Sequence, residues 1–512
     1  MSKQSSNVKH FTSLTAFSLS EKIIAFVYQA VLAGVLGAGV VTDCFFSASQ
    51  LFDLIDSTVL GALVVVVINR FANISAEQDE QAGFRFLSTL NSVLSIVMAA
   101  VAVLTFILAK PFSYLIAPGF DSEARPELIN CIRILCVIPP IMVFATMCQG
   151  LLRQKKCFIV VNSRSLFISF CGMAAVLLIS LRHPNNSRIL CYGYVAANLL
   201  FSIALFIRSR RFGAIRYVRP KLDDDVKKLF VMAVPAIISK GIVRISLMID
   251  QVISSTLGKG AVSYLNYAHS LYNIVNSLLV VNLCIIMLTD FTNLCVRKDY
   301  ERMKQKLSSA VSSILLLLGP VAVLTLIYSR QIVSIAYERG AFTAESSEAV
   351  GTLLFFYAIG FVPSMLNSLH TQVLHAFGKM NIAMRNSLIS FGLNIVLSIV
   401  LSRFIGIAGI ALGTSVSVTA VVFMYKKSVE KQLPNYKAIV PMQYVWKLLS
   451  GLAVCSAIAF GMKLLIRPAL LSFAVATVCG FGGFALTLIL LREQTLLQYF
   501  NALKNGLLRR GK

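Results

Sequence analysis

The sequence predicts an all-α integral membrane protein with fourteen transmembrane helices, arranged as two parallel-repeat six-helix lobes plus two extra C-terminal helices. Three observations predict it. The 512-residue chain is 57% hydrophobic and only 13% charged, with a mean hydropathy of +0.78, whereas a soluble domain is about 45–50% apolar and roughly 25% charged. Its apolar residues gather into runs long enough to cross a bilayer, and a set of landmarks recurs at an offset of 221 residues. This composition excludes a water-soluble enzyme of the same length. It also excludes disorder, because so much apolar material cannot stay solvated.

A spanning helix needs about 20 mostly apolar residues, and in lipid the helix satisfies its own backbone hydrogen bonds. In chain order the candidate spans are 12–36, 43–68, 86–109, 128–150, 157–181, 189–207, 229–256, 270–294, 308–328, 349–375, 384–402, 405–425, 446–466 and 469–491. The first carries Glu21 and Lys22. The fourth carries Arg133 and a Pro139-Pro140 break. No removable signal peptide is read at the polar N-terminus, so the first span itself would direct insertion.

The net charge of +25 would suggest nucleic acid in a soluble protein, but in a bilayer it is explained by basic cytoplasmic loops. With both termini in the cytoplasm, the inner segments hold 30 of the 47 Lys and Arg, the outer loops nine and the spans eight. The expected organisation is therefore a lobe over 1–207, a basic cytoplasmic linker over 208–228, a second lobe over 229–425, and a segment 426–512 with the last two spans and a basic tail. Eleven Cys are scattered without a CxxC pair or zinc spacing, which points to free, buried thiols.

The repeat is legible without gaps. Leu36-Gly37-Ala38-Gly39 after span one corresponds to Leu257-Gly258-Lys259-Gly260 after span seven, and Gly119 corresponds to Gly340. Arg164, Ile168, Ser169 and Phe170 correspond to Arg385, Ile389, Ser390 and Phe391. An offset of six spans, an even number, means that both copies enter the membrane in the same sense, a transporter design with an axis along the membrane normal.

Ionisable residues inside spans cost about 2.5–3.5 kcal/mol on insertion scales and usually face a cavity or a partner. Among those here are Glu21 and Lys22 in span one; Asp43, Asp53 and Asp56 in span two; Lys240, Arg244 and Asp250 in span seven; Asp290 in span eight; and Lys463 in span thirteen. Asp53 and Asp56 share a helix face, as do Lys240 and Arg244. Lys240, Asp43 and Asp290 lie near span ends and can equally snorkel to headgroups. Arg244 is mid-span, with Asp53 and Asp56 as candidate partners. The glycine turns lack the Lys-Ser/Thr of a phosphate loop, and no nucleophile–base set can be assembled. The chain reads as a transporter and not an enzyme, with no nucleic-acid partner.

At the glycine turns the sequence resembles the MurJ (MviN) family. The residues that carry the resemblance are Phe26-Val27, Leu36-Gly37-Ala38-Gly39 and Asp43-Cys44-Phe45-Phe46, then the stretch from Leu257 to Ala268, Glu338-Arg339-Gly340-Ala341-Phe342-Thr343, and Gly406-Ile407-Ala408-Gly409-Ile410-Ala411-Leu412. The resemblance covers nearly the whole chain and implies a multi-pass protein of the bacterial inner membrane. Such a protein flips lipid II, a polyprenyl-diphosphate-linked glycan, by alternating access. A flippase for another lipid-linked oligosaccharide (exopolysaccharide or O-antigen), a MATE-like cation-coupled drug exporter and a non-transporting scaffold are the alternatives.

The chain is divergent. The positions matching the family's cavity arginines hold Lys22 and Tyr28 in span one, Asp56 and Ser57 after Leu51-Phe52-Asp53 in span two, and Ala268-His269-Ser270 at span eight. The expected substrate-binding set is therefore Lys22, Tyr28, Asp43, Asp53, Asp56, Lys240, Arg244, His269 and Ser270, with Lys240 and Arg244 as replacements for the missing cations. The resemblance also implies a sodium site at Asp250, Asn394, Ser398 and Thr414, making Na+ or H+ the coupling ion. It gives the last two spans a groove for the polyprenyl tail, with Lys463 and Arg467 at its headgroup end. A monomer is expected.

Overall fold

The computed structural model describes residues 2–182, 186–220, 224–277, 282–433 and 442–492. The basic tail beyond 492, part of the linker (221–223) and residues 278–281 of the expected eighth span lie outside the described residues. Among the described residues, eleven helices are long and apolar enough to cross a membrane. The pair Ala344–Ile359 and Phe361–Ala376, bent by 44°, makes a twelfth span. The other two expected spans fall on the helix Asp224–Ser255, whose apolar stretch is interrupted by Lys240, Arg244 and Asp250, and on Ala261–Asn276 with Asn282–Val296.

Local chemistry explains where helices start and bend. Asp79 and Asp299 cap their helices by accepting from Ala82 N at 2.5 Å and Arg302 N at 3.1 Å, which meets donors a helix N-terminus leaves open. Pro139 and Pro140 begin the helix Ile138–Gln154, where a missing N–H costs nothing. Pro320 sits inside Tyr300–Tyr337, and the backbone leaves helical geometry at Tyr328. Span two changes gauge in a π-helical turn over Asp56–Leu60. Large apolar side chains stand exposed along the spans, Leu181 at 71% and Phe404 at 81%, as a lipid-facing surface requires.

The chain divides into two compact units: Met1–Asn266 with Arg339–Thr343, and Tyr267–Glu338 with Ala344–Lys512. In the second unit, one core surrounds Phe291, Leu307, Leu369 and Val421, and another joins Leu324 and Tyr328 to Cys455, Ala459, Ala476 and Phe484. Spans thirteen and fourteen thus pack on span nine. Lys463 Nζ donates to the Ile327 carbonyl at 2.6 Å, the acceptor beside the helix break, and the Tyr328 hydroxyl donates to Ala459 O at 3.0 Å. All eleven cysteines are free.

At one end of the first unit the loops interlock by close backbone approach. The Gly119 loop lies on the end of span seven, where a Cβ on Gly119 would come within 2.3 Å of Ser255 O. The Gly340 loop lies on the end of span one, with Ala341 N donating to Gly34 O at 2.8 Å. The offset of 221 makes these the same contact seen from the two repeats, since Gly119 corresponds to Gly340 and Ser255 to Gly34. Arg125 fastens the first loop by donating to the carbonyls of Ser113, Ala117, Pro118 and Phe120, and it lies 4.0 Å over the Tyr114 ring.

Candidate functional site

Most of the in-span charges belong to the first unit, and five helices bring many of them into one layer. Span two supplies Asp53 and Asp56 at the mouth of its π-turn. Span five supplies Arg164, whose Nη1 pairs with Asp56 Oδ2 and whose Nε donates to Asn198 Oδ1 at 3.0 Å. Span six supplies Tyr194, whose hydroxyl donates to Asp53 Oδ1 at 2.7 Å. Span seven supplies Arg244, within electrostatic reach of Asp53, and Lys240, whose Nζ donates to Gly61 O at 2.7 Å just past the π-turn. Span one supplies Glu21, close to Ser165, the neighbour of Arg164, and the adjacent half-buried Lys22.

Three acids and four bases therefore share this layer (Glu21, Asp53 and Asp56; Lys22, Arg164, Lys240 and Arg244), and Arg153 is also within electrostatic reach of Lys240, so the balance is positive. Charges at low dielectric interact far more strongly than in water, so the pairing keeps the layer affordable while the surplus favours an anion. Arg164, Tyr194 and Asn198 were absent from the expected set. The sequence signals for Arg164 were its place inside span five and its repeat counterpart Arg385; nothing marked Tyr194 or Asn198.

Other expected residues lie elsewhere. Tyr28 is 6% exposed, and its ring packs against Gly172 so closely that a Cβ there would meet it at 2.4 Å. Asp43 is 2% exposed, so it does not snorkel. Its carboxylate accepts from Gly260 N at 2.6 Å, Ser263 N at 2.8 Å and Ser263 Oγ at 2.6 Å, within the interlocked loop cluster. His269 and Ser270 belong to the second unit. There His269 Nδ1 lies 3.0 Å from Asn273 Nδ2, and Ser270 lies beside Tyr337. Asp290 pairs with Lys306 at 2.5 Å.

The expected ion ligands are likewise divided. Asp250, in the first unit, is 5% exposed. In the second, Asn394 Nδ2 donates to Thr414 Oγ1 at 3.0 Å, and the Thr414 hydroxyl donates to Ile410 O at 3.1 Å. Ser398 is fully buried on the same helix as Asn394. Neutral oxygens of this kind suit a hard cation.

The family model described as "Lipid II flippase MurJ" matches residues 32–480. Among similar sequences, a probable lipid II flippase MurJ of Rhizobium tropici is 25% identical over 420 residues, covering 80% of this chain and 78% of that protein. The lipid II flippase MurJ of Burkholderia cenocepacia is 22% identical over 362 residues, covering 69% and 70%. A solved lipid II flippase MurJ in an inward closed conformation superposes with a TM-score of 0.81 at 18% identity, covering 94% of this chain and 99% of that one. An inward-facing MATE-family multidrug transporter reaches 0.68 at 11% identity, covering 82% and 98%. At these identities the structural likenesses bear on the fold alone.

Proposed function

Because the chain belongs to the lipid II flippase MurJ family, we propose that it carries lipid II across the bacterial cytoplasmic membrane, from the inner to the outer leaflet. The observation that carries this reading is the family match over residues 32–480, joined to a layer of in-span charges with a positive surplus. A diphosphate needs cationic donors, and Lys22, Lys240 and Arg244 supply them without the arginines the resemblance would lead one to expect. Lys acts there as a point charge and Arg as a fork.

The orientation goes with this reading. Both termini lie in the cytoplasm, so the interlocked loops around Gly37, Gly119, Gly260 and Gly340 face the periplasm. Alternating access then requires those loops to part, and the buried Asp43 carboxylate must find other partners each time they do. The protein works as a monomer coupled to Na+ or H+. Asp250 in the first unit, and Asn394, Ser398 and Thr414 in the second, are the groups whose substitution tests that coupling. Any other lipid-linked oligosaccharide would offer the same diphosphate, so the glycan is the point to test.

The experiment is complementation of a strain depleted of its lipid II flippase, paired with leaflet-resolved lipid II labelling. The wild-type chain is expected to restore growth and outer-leaflet lipid II. Lys22→Ala and Arg244→Ala are expected to insert normally and fail. Undiminished flipping by both variants would remove the cationic site, and failure of the wild-type chain would point to a different glycan.

A further inference from the structure

In the charged layer, Arg164 has a buried guanidinium nitrogen without a partner among the described residues. Nη1 is taken by Asp56 and Nε by Asn198, while Nη2 is buried without an acceptor among the described residues. Buried donors in folded proteins are nearly always paired, so an open arm on a guanidinium calls for a reason. The pair also stands at the edge of the packing: the Arg164 side chain keeps 24% of its surface and that of Asp56 keeps 14%. Asp56 opens the π-turn of span two, an element that recurs at functional sites.

The repeat shows that the fold does not need this pair. Arg385 takes the place of Arg164 in the second repeat, where it is exposed, and the position equivalent to Asp56 holds Ser277. One copy of the same architecture therefore stands without the acid. What the first copy gains is a guanidinium held in place along one edge, with its buried second arm unpaired, in a layer that carries surplus positive charge.

A guanidinium fork matches a phosphate group through two parallel N–H bonds. A single carboxylate oxygen on Nη1 leaves that fork half used. Resting on the flippase reading above, we propose that Arg164 binds the cargo's diphosphate, and that Asp56 occupies the guanidinium until the diphosphate displaces it. Asp56 is then an internal competitor: it keeps the arginine neutralised between transport cycles and sets how tightly an anion can be held.

The competitor role gives two substitutions of opposite sign, which a purely structural ion pair does not. The full chain in lipid nanodiscs is titrated with undecaprenyl diphosphate, undecaprenyl monophosphate and lipid II. Asp56→Asn, which keeps the shape and removes the charge, is expected to tighten diphosphate binding by about tenfold, the scale of one charge-assisted hydrogen bond. Arg164→Lys, which keeps the charge and removes the fork, is expected to weaken diphosphate binding by about tenfold, with a smaller change for the monophosphate. Weaker or unchanged diphosphate binding in Asp56→Asn overturns the proposal, as does unchanged binding in Arg164→Lys. If the wild-type chain binds diphosphate and lipid II while the variants behave that way, only the role of Arg164 falls. If the wild-type chain binds neither probe, the flippase reading falls and this assignment with it.

Discussion

Thr42 and Ser263 stand 221 residues apart, one repeat offset, and their hydroxyls meet at 2.7 Å. This hydrogen bond joins equivalent positions of the two repeats inside the first unit. The paired loop contacts, Gly119 on Ser255 and Gly340 on Gly34, belong to the same unit. Asp43, the neighbour of Thr42, breaks the symmetry, because the equivalent position holds Tyr264.

Ser263 makes two of the three bonds to Asp43, through its N–H and its hydroxyl. Hydrogen bonds to charged groups contribute about 1.5–3 kcal/mol. Ser263→Ala is expected to lower the melting temperature in detergent by that order of free energy. It should also make cysteines placed in the loop cluster easier to label from outside the cell. Unchanged melting and labelling would show that Asp43 is equally content with the backbone donors.

Gly119→Ala and Gly340→Ala are expected to abolish transport in inserted protein. Their new methyl groups would lie 2.3 Å from Ser255 O and 2.2 Å from Gly34 O. Gly340 also has φ +59°, where a side chain is strained. Gly39→Ala is the control: its φ of −168° is extended and nothing lies within 4 Å of the added carbon, so its effect on stability is expected within about 0.5 kcal/mol. Equal effects at the three glycines would contradict the close-approach explanation.

Lys259 pairs with Asp121 at 3.2 Å and Glu123 at 3.4 Å. The backbone N–H of Ala124, and then Lys259, hold Asp121 below its ordinary value of 3.8. Asp121 therefore adds stability above pH 3.8 and loses it as pH falls through the lowered value. The same partners hold Lys259 above its ordinary 10.5. Its contribution is present below pH 10.5 and is lost as pH rises through the raised value. All three side chains are exposed, so the effect is small and is screened by salt. The share of the melting temperature that depends on this pair is expected to be flat between those limits, and Lys259→Gln is expected to remove its share of any alkaline fall. An alkaline fall that survives in Lys259→Gln would assign it to another group.

Lys463→Met keeps the length and apolar stem of the side chain but removes the donor to Ile327 O. Leaving that carbonyl unmet beside the Tyr328 break is expected to cost about 1–3 kcal/mol, read as a lower melting temperature. No change would mean that another donor reaches the break.

The helices, their order and the repeat were legible in the chain because each depends on neighbours along it. Runs of apolar residues announce spans, and Gly37, Gly119, Gly258 and Gly340 announce the turns between them. Asp53 and Asp56 could be seen to share a face, and their charge could be seen to need an answer. That the answer comes from Arg164, 108 residues away, could not. The partner of a buried charge depends on how each helix is rotated about its own axis, which one-dimensional periodicity leaves open. The same limit applies to Asp43, whose place near a span end suited either a headgroup contact or a cavity until packing enclosed it.

By itself the sequence determined a membrane protein of many spans, built twice over and resembling a flippase family, because burial in lipid and backbone satisfaction act residue by residue. Only the tertiary structure decided which charges answer one another and where the two copies touch, because those choices rest on distances between helices far apart in the chain.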